Sequence, residues 1–213
     1  MRLVLIGPPG AGKGTIAEKL AAKYGLAHLS SGDMLRDAIS RGAPLGAKAK
    51  EYVESGRLVP QEVLGEVVAE KLREVKAFIL DGYPRTLEQA EFITALPYVD
   101  IDAVIYVAVG EEKAVERLRG RRVCAKCGAV THADAAEVCG NCGSDDLVAR
   151  ADDRPDTLKK RYEVYMLETE PVVEYYRGRG LLRQVDGTGS REEVRARVEA
   201  AIGPFGARGD DNR

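Results

Sequence analysis

The chain has no tryptophan, three phenylalanines and two histidines in 213 residues. There is no basic face interleaved with aromatics of the kind that stacks on nucleic acid, and histidine chemistry could rest only on His28 or His132. No charge of one sign dominates. Lysine and arginine number 32 against 34 acidic residues, a net charge of −2, so any anion site has to be local. No stretch approaches the ~20 continuous apolar residues of a bilayer span, and the first residues show no secretory signal pattern. A cytoplasmic address without membrane or nucleic-acid partners is the expectation. The four cysteines are confined to positions 124–142.

What is present begins at the amino terminus. Arg2 to Ile6 is an apolar run of strand type, and Gly7-Pro8-Pro9-Gly10-Ala11-Gly12-Lys13-Gly14-Thr15 follows it. Glycines at 7, 10, 12 and 14 let the backbone turn sharply and aim successive N–H groups at one point. The spacing of Ile16, Leu20, Ala21 and Tyr24 predicts a helix starting near Gly12, whose positive end completes an anion cradle. Gly7-x4-Gly12-Lys13 fits the P-loop pattern, except that Gly14 follows the lysine and the hydroxyl is delayed to Thr15.

Strand candidates at 25–30, 77–81, 103–109 and 181–187, of which 77–81 and 103–109 begin as continuous apolar runs, predict four more strands, with helical patterns between them. Continuous apolar runs fit parallel strands covered on both faces, and the alternation predicts an α/β fold with a five-stranded parallel sheet flanked by helices. Asp81 stands where the run Ala77 to Leu80 stops, at the strand end where open α/β sheets place ligands. Two short helices, 33–40 and 44–55, form an excursion from the core. A long helix from Pro155 to about Arg177 should kink or break at Pro171, and Ser190 with Glu193 has capping-box spacing. His28, set among Leu26, Ala27 and Leu29, reads as a partly buried structural residue. Tyr162, Tyr165, Tyr175 and Tyr176 read as packing, and the tail 205–213 as frayed.

Cys124-x2-Cys127-x11-Cys139-x2-Cys142 is a pair of CxxC knuckles, each followed by glycine at 128 or 143. That spacing points to a tetrahedral four-thiolate site, usually zinc, with two disulfides as the other reading. Four protein ligands leave no position for a catalytic water, so the metal is structural. The surrounding segment is too poor in apolar residues to fold on its own core, and His132 is surplus to a complete ligand set.

The glycine loop, Ser31-Gly32-Asp33-Met34-Leu35-Arg36, Leu80-Asp81-Gly82-Tyr83-Pro84-Arg85-Thr86, Gly120-Arg121-Arg122, Asp152-Asp153 and Arg161-Tyr162 together resemble the adenylate kinases in their long-lid form, in order and over nearly the whole chain. The resemblance implies the P-loop nucleoside monophosphate kinase fold with two mobile insertions. A core of 1–29, 60–118 and 153–213 would carry an acceptor-binding segment 30–59 and a lid 119–152 with a zinc ribbon. It implies reversible Mg²⁺-dependent transfer between ATP and AMP to give two ADP, serving adenine nucleotide homeostasis in a monomeric enzyme. Lys13, Asp81, Arg85, Arg121, Arg150 and Arg161 would be catalytic, with Asp81 orienting water around Mg²⁺. Gly10, Ala11, Gly12, Lys13, Gly14, Thr15, Arg117, Arg121 and Gly189 would bind ATP. AMP would meet Ser31, Arg36, Arg57, Leu58, Val59, Gly82, Tyr83, Pro84, Arg85, Gln89, Arg150 and Arg161. The chemistry agrees with the residues: a phosphate whose second pKa is near ~6 is already ionised and needs no general base. Kinases of another acceptor base, UMP/CMP or GMP, remain open, as does a zinc-ribbon protein using nucleotide as a switch. The long cysteine-bearing insert argues against short-lid kinases, and the near-neutral charge against a nucleic-acid ribbon.

Overall fold

The structure, a computed structural model, describes residues 1–133 and 137–203. The tail expected at 205–213 lies outside them. Five strands, β1 (Arg2–Ile6), β2 (Ala27–Ser30), β3 (Phe78–Asp81), β4 (Ala103–Ala108) and, after the cysteine segment, β8 (Leu182–Asp186), form one parallel sheet in the order β2-β3-β1-β4-β8. Alternation along the strands feeds two cores. Val4, Leu80 and Val104 face one layer with Val172 and Tyr176, while Leu3, Leu5, Ile79 and Ile105 face the other with Leu20 and Val198.

The helices are α1 (Lys13–Tyr24), α2 (Ser31–Ser40), α3 (Pro44–Glu54), α4 (Gln61–Arg73), α5 (Leu87–Ala95), α6 (Glu111–Arg119), α7 (Pro155–Val164), α8 (Glu170–Gly178) and α9 (Arg191–Ile202). Their starts follow side-chain chemistry. Ser30 caps α2 by accepting from the Asp33 N–H, Thr86 caps α5 by accepting from the Gln89 N–H, and Ser190 and Glu193 close the expected capping box on α9. Pro60 is the cap of α4 rather than its first turn, so that helix opens at Gln61.

The break expected near Pro171 is a widened turn. Between α7 and α8, residues Tyr165–Thr169 form a π-helix, with the Glu170 N–H donating to Tyr165 O. Proline brings no N–H to the ladder, and the extra residue of a π turn absorbs the mismatch. Tyr165 and Tyr176 are buried, in keeping with packing, and Arg179 stacks over the Tyr175 ring at 3.6 Å.

Two excursions leave the sheet. In one, α2 and α3 pack so closely that a Cβ on Gly46 would fall 2.2 Å from Ala38 O. In the other, β5 (Arg121–Cys124) is the centre of an antiparallel sheet ordered β6-β5-β7, with β6 at Val130–His132 and β7 at Leu147–Val148.

Candidate active site

The loop between β1 and α1 is built by close approach. Gly10 has φ 87°, and a Cβ there would sit 2.2 Å from Ala114 O, so neither conformation nor space admits a side chain. Gly12, also at φ 87°, caps α1 without a side-chain bond. The first N–H groups of α1 are therefore free to meet an anion. Lys13 reaches back over this loop, its Nζ donating to Gly7 O at 2.7 Å and Pro8 O at 3.0 Å. Burial pulls the lysine down to about 8; Asp81 opposes that fall, and Arg85, Arg161 and Arg121 add to it.

Asp81 ends β3, in register with Leu5 and Ser30 at the same edge of the sheet. Its Oδ2 stands 3.4 Å from where a Cβ of Gly14 would be, next to Thr15. The carboxylate thus stands beside the cradle, and an oxygen donor of this kind suits a hard cation carried by phosphates.

Beyond Asp81 the chain turns through Gly82, Tyr83 and Pro84, with the Tyr83–Pro84 peptide cis. Arg85 is held by its neighbours: its Nε donates to Gly82 O at 2.6 Å and its backbone N–H to Gln89 Oε1 at 2.8 Å. Ser31 Oγ donates to Gly82 O at 2.7 Å, and Gln89 Nε2 to Val59 O at 3.3 Å. These bonds join β3's turn to α2 and to the segment by which the first excursion returns to the core. Between them lies a cavity lined by Lys13, Ser31, Arg36, Arg57, Leu58, Val59, Gly82, Pro84, Arg85, Gln89 and Arg161. Tyr83 is fully buried behind this wall, its hydroxyl donating to Gln61.

A second group of arginines is organised by two acids. Asp153, its side chain only 4% exposed, accepts from Arg121 Nε at 2.7 Å and Nη2 at 2.6 Å, and from Arg161 Nη1 at 3.0 Å. Arg161 also contacts Asp152 Oδ2 at 3.0 Å. Burial works against the charge on Asp152, yet Arg161, Arg121, Arg36 and Arg150 together hold its carboxyl below the usual range. Burial, then mutual repulsion with Arg161, pulls Arg85 down to about 10; burial, then Arg121, does the same to Arg150. Arg150 Nε is buried with no hydrogen-bond partner among the described residues. Cations crowded beyond the local acids are an electrostatic hole shaped for a polyanion. Arg117 and Gly189 meet elsewhere, the Arg117 Nη2 donating to Gly189 O at 3.3 Å, which ties α6 to the loop before α9.

The four cysteines converge as their spacing predicts. Their Sγ atoms lie within 4.8 Å of one another, with Cys124 to Cys142 at 3.6 Å and Cys127 to Cys139 at 3.5 Å. Zn–S bonds of about 2.3 Å set tetrahedral S···S edges at about 3.8 Å, so the donor set fits zinc. The Asn141 amide donates to Cys127 Sγ at 3.5 Å and pulls that thiol down to about 6, toward the thiolate a metal needs. The knuckle glycines 128 and 143 have φ of 74° and 72°.

Three residues acquire roles that spacing does not foretell. His28 Nε2 lies 3.8 Å from Asp81 Oδ2; burial opposes its protonation, but Asp81 raises its pKa overall. Only the pairing of β2 with β3 makes them neighbours. His132 packs on the junction of α6 and β5, where a Cβ on Gly120 would meet its Cε1 at 1.9 Å. Gln61 supports Tyr83 from α4.

Comparison with known proteins gives one answer. The adenylate kinase family profile matches residues 5–181. An adenylate kinase of Archaeoglobus fulgidus is 47% identical over 95% of this chain and 98% of its own length. One from Carboxydothermus hydrogenoformans is 44% identical over 95% and 99%, and one from Desulfitobacterium hafniense DCB-2 is 48% identical over 88% and 91%.

Proposed function

The chain belongs to the adenylate kinase family, and from that premise we propose that it transfers a phosphoryl group between ATP and AMP to give two ADP, with the acceptor in the cavity beneath Arg36, Arg85 and Arg161. The observation that carries this is the convergence of Lys13, Arg36, Arg85 and Arg161 on one cavity, with Arg121 joined to Arg161 through Asp153. Such a site is matched to two nucleotides whose phosphates meet end to end.

In the forward direction an AMP phosphate oxygen forms a bond to the γ-phosphorus of ATP, and the bond from that phosphorus to the β,γ-bridging oxygen breaks. The departing charge stays on ADP, which Lys13 and the N–H groups of residues 10–15 hold. No proton has to move, since the acceptor oxygen is ionised at neutral pH. The work of the chain is alignment and charge neutralisation. Arg36, Arg85 and Arg161 orient the AMP phosphate; Arg121 and Arg150 meet the phosphates from the lid side; Arg117 and Gly189 flank the ATP end. Ser31, Arg57, Leu58, Val59, Gly82, Pro84 and Gln89 enclose the acceptor nucleoside, with Tyr83 behind them. When magnesium accompanies ATP it supplies charge neutralisation to the donor phosphates, and Asp81 and Thr15 are the residues placed to hold its waters.

The segments 30–59 and 119–152 are the covers of this site over a core of 1–29, 60–118 and 153–213. Water competes with AMP for the phosphoryl group, so assembly of the arginines on closure protects ATP from hydrolysis. Cys124, Cys127, Cys139 and Cys142 hold structural zinc in the second cover. A monomer in the cytoplasm is part of this reading.

A coupled assay with ATP and each of AMP, CMP, UMP and GMP tests this. AMP should be the preferred acceptor, with two ADP formed per turnover. Absence of ADP formation with AMP would sink the proposal, and preference for another monophosphate would move the acceptor assignment.

A further inference from the structure

Tyr83 precedes Pro84 in the turn that carries Arg85, and its ring is fully buried. A buried phenol needs a partner for its hydroxyl, and here it donates to Gln61 Oε1 at 2.6 Å. Gln61 is the first residue of α4, two positions after Val59, where the segment 30–59 rejoins the core. Its amide does not extend outward but lies back over its own helix. A Cβ on Gly65 would fall 1.9 Å from Gln61 Nε2 and 2.6 Å from its Cδ.

Gly65 is in the interior of α4 and does not have a positive φ. Nothing in its backbone conformation calls for glycine, which is a poorer helix former than alanine. Space explains it. A Cβ at position 65 would push the Gln61 amide out of the place from which it meets Tyr83.

We propose that Gln61, Gly65 and Tyr83 form a tie that positions the acceptor nucleotide. Val59, Leu64, Pro84 and Arg85 all line the cavity. Through Tyr83, Gln61 joins the start of α4, next to Val59, to the turn that carries Arg85, and in this reading it fixes Arg85 relative to the exit of segment 30–59. A parallel link, Gln89 Nε2 to Val59 O at 3.3 Å, uses a residue assigned to the acceptor. When Gln89 turns to the nucleotide, the Gln61–Tyr83 bond is the one that persists. None of the three touches a reacting atom, so they are positioning residues. The proposal rests on the assignment of this cavity to AMP.

Steady-state kinetics with both substrates varied provides the test. Gly65→Ala, which improves helix propensity while displacing the Gln61 amide, should raise KM for AMP about three- to tenfold and leave KM for ATP within about twofold. Gln61→Ala should do the same, and Gln61→Glu, which keeps an acceptor oxygen, should not. Tyr83→Phe added to Gln61→Ala should raise KM no further, because both changes cut one bond. An unchanged KM for AMP in folded Gly65→Ala, an equal rise for both substrates, or additive effects of Gln61→Ala and Tyr83→Phe would each overturn the tie. Arg36→Ala separates the two levels: if it spares AMP, the cavity assignment falls; if it weakens AMP while Gly65→Ala does not, only the tie falls.

Discussion

The parallel sheet and the cysteine-bearing excursion solve the same problem by different means. The central strands β1, β3 and β4 bury side chains on both faces, with Leu3, Val4, Ile79, Leu80, Val104 and Ile105 all at 0% exposure. In the excursion Val130, Val138 and Val148 are exposed, and Cys124 and Cys139 are the buried apolar side chains among the described residues. The core is held by many weak contacts that reinforce one another; the excursion has a few donor atoms gathered at one point. A metal-centred module can thus be small and polar, and can move against the core without exposing an apolar surface of its own.

Metal removal would break the comparison most sharply. Zinc contributes ~10–16 kcal/mol to folding of comparable small modules, so chelation, or Cys139→Ser, should abolish metal content and expose residues 119–152 to limited proteolysis. The sheet's amide protection should remain. Loss of protection throughout would show that the two regions do not hold themselves separately.

Next in size is the loss of a charge that serves chemistry and not the fold. Arg121→Ala should lower turnover ~10³-fold or more while shifting the thermal midpoint little, because Asp153 keeps its bond from Arg161. Turnover within about tenfold of the unaltered enzyme would remove Arg121 from the reaction. By contrast Ile105→Ala, in the buried middle of the sheet, should cost about 2–5 kcal/mol in denaturant unfolding and leave zinc content unchanged in the folded protein.

The smallest expected effect is graded with pH. Lys13 is pulled from 10.5 to about 8, so in the free enzyme it is charged below about pH 8 and neutral above. kcat/KM for ATP should therefore be level below that pH and fall as pH rises through it. Folding linkage runs the other way. Between about 8 and 10.5 the unfolded chain holds a proton that the folded lysine has released, so this residue makes stability rise with pH there. Lys13→Met should flatten that slope in urea unfolding measured across the range; an unchanged slope would show that another group produces it.

The local pieces of this molecule were legible in order. Glycines at close spacing followed by a helical pattern, the capping box of Ser190 and Glu193, and the double knuckle all act within a few to ~20 residues. Five strand candidates, three of them apolar runs, predicted five parallel strands, as found. Pro171 signalled a break but not its form, because whether a helix bends or widens depends on what packs beside it. The widened turn leaves Thr169 donating to Arg85 O at 2.9 Å, a contact between residues 84 positions apart. His28 looked like one more partly buried strand residue.

By itself the sequence determined that a glycine-rich loop joins the first strand to the first helix, that four cysteines gather at one point in the excursion, and that strands alternate with helices, since each depends on neighbours along the backbone. Tertiary structure alone decided that His28 faces Asp81, that Asp153 joins Arg121 to Arg161, and that Gln61 folds over Gly65 to reach Tyr83. Those meetings depend on strand register and on the rotation of packed helices. Both are set by how the whole core fills its space, and no short stretch of residues carries that.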